Sequence, residues 1–266
     1  MNNVHRPRGR MPAADRNRAD VACPLRGRRS EHRHMEVGPR HTGTTAEIAL
    51  MSNRRNALLE RFFTCLISGD RPGARQVMDE VFDADCPAEK VASNLIWPTL
   101  HNLQTMRRND QLTALAYNYA TRLLRGITDQ LQMRLETKDS RGVKCLVVCG
   151  AEESEELAGQ LTADLLEADG YDVYFTGGGI ANDEIVEQLG TLKADKLVIF
   201  GAIPATVPQT RVLIDRLHDI GVCPDIQIIV GGGVFNRADG LAEETGADLW
   251  PADPIENVDV MNQHDE

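Results

Sequence analysis

Residues 144–176 read KCLVVCGAEESEELAGQLTADLLEADGYDVYFT. The apolar run Cys145 to Cys149 stops at Gly150, an acid-rich segment then opens a helix through Leu161 and Leu166, and Gly170 closes it before a second apolar run. A short buried strand, a loop, a helix of apolar periodicity and another strand make one parallel strand–helix–strand unit. In parallel sheets of this kind ligands meet the loops at the carboxyl ends of the strands. The first such loop is Gly150 to Ala158, GAEESEELA.

Working outward towards the C-terminus, strand and helix patterns keep alternating. Strands are expected at 144–149, 172–176, 196–200, 227–230 and 247–249, with helices near 154–168, 182–190, 208–219, 237–245 and 255–263. Five such units imply an α/β domain over 143–266 with a five-stranded parallel sheet covered on both faces. The order 2-1-3-4-5, the flavodoxin-like arrangement, is expected because no sixth unit remains.

Towards the N-terminus the pattern is helical. Asn53–Ser68 has apolar residues at Leu58, Leu59, Phe62, Phe63, Leu66 and Ile67, and Gly69-Asp70 ends it. A second helix follows Pro72. A third runs from Pro87 past Leu100, with Pro98 expected to kink it, and a fourth spans Gln111 to Glu136. Short connections between them predict a four-helix, cap-like bundle over 53–136, joined by a polar linker, TKDSRG at 137–142.

Residues 1–52 have no helical or strand period and read as a disordered basic leader, with Met51 a candidate start of translation. Residues 1–50 hold ten Lys and Arg against five Asp and Glu, which leaves 19 against 35 for the remainder of a chain whose net charge is −11. So acidic a body repels phosphate backbones, which argues against nucleic-acid binding by the folded part. No apolar run is long enough for a membrane span and no secretion signal is visible, so the expected location is the cytoplasm. The six cysteines form no CxxC or Cys/His cluster, and Cys145 and Cys149 read as small buried hydrophobes.

Four loops should meet at the carboxyl edge, and two carry three glycines, Gly177–Gly179 and Gly231–Gly233. Such runs either serve tight strand exits or let a ligand approach the backbone. Neither is a GxGxxG, so a dinucleotide site is not indicated. No nucleophile has a base beside it: His218 lies on a peripheral helix, His101 reads as a helix-surface residue, and Ser154 has only acidic neighbours. Glu152, Glu153, Glu155 and Glu156 complement the positive end of a helix dipole. The alternative is that two of them hold magnesium, as in phosphoacceptor domains, but Phe200 and Gly201 stand where those domains carry their aspartate.

A helical bundle, a short linker and a five-unit parallel domain with two glycines after the fourth strand resemble the cobalamin (vitamin B12)-binding module of corrinoid methyl-transfer proteins and light-sensing cobalamin repressors. LLEADGYDVYFTG (165–177), IIVGGG (228–233), TGAD (245–248) and IWPTL (96–100) carry the resemblance. It implies a cobalamin cofactor, but the motifs diverge. The family's DxHxxG, whose histidine ligates cobalt, falls on Glu153, Glu155 and Ala158, and its SxL, which contacts the nucleotide tail, becomes Gly201-Ala202-Ile203. The glycine pair survives as Gly231-Gly232. The tryptophan and Glu-His that cap the upper corrin face in the light sensors fall on Arg107, Tyr117 and Asn118, while Trp97 reads as core.

The resemblance therefore implies a carrier or sensor that binds a corrinoid without histidine ligation. Gly201, Gly231 and Gly232 would give backbone access to the tail and Ile203 would pack it, in a cleft between the first and third strands. Glu153, Glu155 and Ala158 would lie at the lower corrin face, with Glu155 turned to the ring, and Arg107 and Asn118 would approach the upper face. Glutamate is a hard donor that replaces imidazole poorly on cobalt. The alternative is a repurposed scaffold that has lost the cofactor and works through a protein partner, with self-association through the bundle. Catalysis in its own right is the weaker reading beside an accessory role to a corrinoid methyltransferase.

Overall fold

The computed structural model describes residues 23–25 and 45–264. Its first half is helical: α1 (Thr45–Ser68), α2 (Arg71–Asp83), α3 (Ala88–Val91), a π turn (Ala92–Ile96), α4 (Trp97–Arg108) and α5 (Ala114–Gln132). Local chemistry sets these boundaries. Gly69 takes φ +73° at the end of α1, and the Asp70 carboxylate accepts from Gly73 N at 3.0 Å to cap α2. Thr113 caps α5 by accepting from Ala116 N at 3.1 Å, so that helix starts three residues after the expected Gln111. Pro98 lies in the first turn of α4, directly after the π turn. The widened turn absorbs the missing proline donor where a kink was expected.

The expectation for the leader needs correction. Most of 1–52 lies outside the described residues, but α1 begins at Thr45, not Asn53, because the helical period extends back through Ala46 to Leu50. Residues 23–25 also belong to the folded unit. Leu25 is fully buried in the same apolar cluster as Phe62, Leu66 and Leu95, and Cys23 is disulfide-bonded to Cys86 in the turn between α2 and α3.

The second half is β1 (Lys144–Cys149), α6 (Glu153–Ala168), β2 (Asp172–Gly178), α7 (Asn182–Leu192), β3 (Lys196–Phe200), α8 (Thr206–Ile220), β4 (Gln227–Gly231), α9 (Gly233–Arg237), α10 (Leu241–Glu244) and α11 (Pro254–Gln263). The strands are parallel in the order β2-β1-β3-β4. Alternation along β1 divides its side chains: Cys145 and Val147 pack with Leu166 and Met261, whereas Leu146 and Val148 pack with Leu189 and Leu213. The sheet thus has α6 and α11 on one face and α7 and α8 on the other.

The expected fifth strand is reduced to a single parallel bridge, Ile229 to Leu249. Two local features stop it. The Asp248 side chain takes the Ile228 N–H at 2.7 Å, where a strand would offer a backbone carbonyl, and Pro251 cannot donate. The expected helix at 237–245 is likewise split into α9 and α10, with Gly240 at φ +79° between them. Among the described residues no helix is long and apolar enough to cross a membrane.

Helices α1 to α5 do not have a core of their own. One apolar cluster joins Phe62, Leu95, Leu103 and Leu124 to Leu157, Ala158 and Leu161 of α6 and to Phe200 at the end of β3. The helical half therefore packs directly on the carboxyl edge of the sheet, where the loops meet.

Candidate functional site

The site grows from the start of α6. The Glu152 backbone N–H donates to Glu155 Oε2 at 3.4 Å, half of the reciprocal pattern by which a residue three positions into a helix closes its first turn. The other oxygen, Oε1, accepts from Ala202 N at 2.7 Å, Ile203 N at 3.2 Å and the Thr206 hydroxyl at 2.8 Å. Glu155 is fully buried. A buried carboxylate needs donors in place of water, and four donors draw this one down between the loops after β1 and β3. Glu155 therefore does not face a corrin from below, as its place in the motif suggested.

The other two positions of the motif also point away from a ligand. Glu153 accepts from Arg125 Nε at 2.8 Å, and Glu156 from Arg125 Nη2 at 3.0 Å, so α5 clasps the start of α6. Ala158 is fully buried in the cluster between α6 and the helical half. These contacts account for Glu153, Glu155 and Glu156 as helix-end and interface groups. Among the described residues no three Asp, Glu, His or Cys side chains gather as a metal site.

The expected cleft between the first and third strands is closed. Gly150 N donates to Phe200 O at 3.1 Å and Gly201 N to Gly231 O at 2.9 Å, which joins three strand exits in a row. Gly232, at φ +107°, lies so close to the Gly201 carbonyl that a Cβ has no room, and Gly178 stands in the same relation to Gly150. Both glycine runs are thus required by close backbone approach, and Gly201, Gly231 and Gly232 are buried. The Phe200 ring fills the space beneath, edge-on to Trp97 with centroids 6.4 Å apart. It shares one apolar cluster with Ala158 and with Ile255 and Val258 of α11.

What is open lies above. A cavity of about 340 Å³ runs between α4, α5 and the loop after β3, lined by Arg107, Tyr117, Asn118, Glu152, Ser154 and Ile203 among others. The structure thus gathers three of the expected residues, Arg107, Asn118 and Ile203, around one cleft. It leaves Glu153, Glu155, Ala158, Gly201, Gly231 and Gly232 in the supporting layer. The Arg107 guanidinium lies 5.6 Å from the centre of the Tyr117 ring, and Gln104 ties α4 to α6 through Ser154 O at 3.2 Å. Burial raises the Tyr117 phenol above its ordinary range, partly offset by a hydrogen bond with Ser154. The His101 ring lies tilted against Trp97 with centroids 5.8 Å apart, and its imidazole is pushed down by partial desolvation and then by Arg108 and Arg237, with Asp253 opposing them.

Sequence reasoning missed the keystone role of Glu155 and the plugging role of Phe200. The first had a signal, since Glu152 and Glu155 have the spacing of a capping box. The second had none, because an apolar residue ending a buried strand is ordinary.

Cobalamin, the group implied by the resemblance, can be tested against these residues. No imidazole stands where the family has its cobalt ligand, the glutamate there is saturated by donors, and the space below is filled by Phe200. The residues do not fit a corrinoid whose own base is displaced by the protein and stored beneath the ring.

Residues 143–258 match the family model described as the B12 binding domain. Dimethylamine corrinoid protein 1 of Methanosarcina acetivorans is 23% identical over 115 residues, which are 42% of this chain and 53% of that protein. Dimethylamine corrinoid protein 3 of Methanosarcina mazei is 22% identical over 115 residues, 42% of this chain and 68% of that protein. The chain thus spans about half the length of the first of these relatives. Among solved structures, the monomethylamine corrinoid protein of Methanosarcina barkeri superposes with a TM-score of 0.66 at 17% identity, over 78% of this chain and 98% of that one, a likeness of fold.

Proposed function

Because residues 143–258 match the B12 binding domain family model, we propose that this chain is a corrinoid carrier or sensor module that supplies no ligand to cobalt. The domain limits of the proposal are a helical cap that reaches back from the expected 53 to Thr45 and ends by 136, a linker at 137–142 and the binding domain from 143. The observation that carries it is the paired departure at the motif. A protein that displaces the corrinoid's base needs both a replacement ligand and a place for the displaced tail. Here Glu155 is bonded inward, away from the cleft, and the Phe200 ring packs edge-on to Trp97 at the end of β3, which supports a reading in which no tail is stored there. The two changes suit one ligand form, a corrinoid that keeps its base on cobalt, which needs neither. In this reading the cleft between Arg107, Asn118 and Ile203 is the contact surface, and a methyltransferase is the partner class that the carrier role implies.

A second reading rests on the size of that cleft. At about 340 Å³ it suits a ligand of modest size better than a whole corrinoid, which favours a scaffold that has given up the cofactor for a protein partner. Gel filtration after incubation with hydroxo-, methyl- or adenosylcobalamin separates the two. The carrier reading expects a retained corrin spectrum of the benzimidazole-ligated type, lost on Ile203→Arg in the cleft. A colourless protein with all three forms removes it and leaves the scaffold.

A further inference from the structure

On the far side of α6 from Glu155 lies a second cavity, of about 270 Å³, between α5, α6 and the edge strand β2. Its walls are Gln132 of α5, Gln160, Asp164 and Glu167 of α6, and Val173 and Phe175 of β2. Asp164 is only 5% exposed, and its Oδ2 has no hydrogen-bond partner. An orphaned carboxylate oxygen in a cavity wall costs free energy unless something occupies the cavity or a proton occupies the oxygen.

The surroundings identify what suits it. Every charged neighbour that acts on Asp164 is acidic, Glu167 on its own helix and Asp129 on α5, and β2 presents only Val173 and the Phe175 ring. Asp129 already accepts from Gln160 Nε2 at 2.8 Å, which leaves Asp164 the open acceptor. Burial, then Glu167 and then Asp129, raises the Asp164 carboxyl to about 7. A metal ion needs several converging ligands, and no such group of three exists among the described residues. An organic cation needs less: a carboxylate or two for its charge and apolar or aromatic walls for its carbon, which Glu167, Val173 and Phe175 provide.

We propose that the cavity between α5, α6 and β2 binds a small organic cation, an alkylammonium whose charge pairs with Asp164 and Glu167 and whose alkyl part lies against Val173 and Phe175. This site is separate from the cleft under Arg107 and does not depend on the corrinoid reading.

Calorimetric titration of the full chain with propylammonium chloride tests it, with 1-propanol as the neutral partner of the same shape. The expected result at pH 8 is saturable binding of propylammonium at least about tenfold tighter than of 1-propanol. At pH 6 a carboxyl titrating near 7 is about nine-tenths protonated, so affinity should fall about tenfold. Asp164→Asn, an isosteric change, should remove the binding at pH 8 and its pH dependence. Phe175→Leu, on the partly exposed edge strand, should weaken it several-fold with the acids untouched. Propylammonium that binds no better than 1-propanol, or equally well to Asp164→Asn, overturns the proposal. Displacement of propylammonium by micromolar magnesium or calcium overturns the assignment to an organic cation.

Discussion

Two carboxylates on one helix, Glu155 and Asp164, are both almost wholly removed from water, yet their surroundings are opposite. Glu155 takes hydrogen bonds from the Glu152, Ala202 and Ile203 amides and from the Thr206 hydroxyl. Asp164 has an oxygen with no donor at all and two acidic neighbours. The difference teaches that burial of an acid is not by itself a sign of function. Donors arranged around it mark a structural joint, and their absence marks a group that waits for a proton or a cation.

The largest effect expected from that contrast is at the joint. Glu155→Ala removes the acceptor for Ala202 N, Ile203 N and the Thr206 hydroxyl, leaving buried donors unpaired. At roughly 1–3 kcal/mol for each, the loss of unfolding free energy in a urea titration should be on the order of 4 kcal/mol. A loss below about 1 kcal/mol would mean that water replaces the carboxylate and that the loops after β1 and β3 are not joined through it.

Asp164 should behave in the opposite way. Its carboxyl titrates near 7 in the folded chain and near 3.8 when unfolded, so the folded state binds the extra proton between those values. Stability should therefore decline as pH rises from about 4 to about 7 and level off above. Over that window the decline amounts to a few kcal/mol, about 4. Asp164→Asn should be more stable than the parent at pH 8 by about that amount, with the advantage vanishing towards pH 4. Urea midpoints of both proteins at four pH values would reveal it, and parallel pH profiles would contradict the unpaired state of Asp164.

How much of this was legible in the sequence depends on the kind of interaction. Periodicity located β1 to β4 to within two residues at either end, because β1, β3 and β4 are compact buried apolar runs and β2 follows the glycine that ends α6. It failed at 247–249, where Asp248 replaces ladder bonding by a side-chain bond that no hydropathy pattern records. The contacts of Cys23 and Leu25 were invisible for a similar reason: three residues have no period, Cys86 lies 63 residues from Cys23 in the turn between α2 and α3, and Leu25 shares its apolar cluster with residues of distant helices. At the candidate site the motif alignment named positions but carried no information on where their side chains turn. Glu155 and the glycines of β3 and β4 were expected to face a ligand because residue type was read without the donors around it. Those donors, two backbone amides among them, come from a loop almost fifty positions downstream.

The smallest effect is expected where the same acidic segment meets the surface. Arg125 joins Glu153 and Glu156 at 2.8 and 3.0 Å, but all three side chains keep about a third of their area in water. Solvent screens such pairs, so the two together should contribute on the order of 1 kcal/mol, in contrast to the joint made by Glu155 two residues from Glu153. Arg125→Met keeps much of the aliphatic stem that covers the interface and removes only the charge. It should lower stability by about 0.5–1 kcal/mol in low salt and by less at 0.5 M sodium chloride, because added ions screen the parent's pairs and not the variant's. A loss that is large and insensitive to salt would show that Arg125 is the true fastener of the helical half to the sheet. Glu155 would then rank second, and the contrast between buried and surface acids on α6 would reverse.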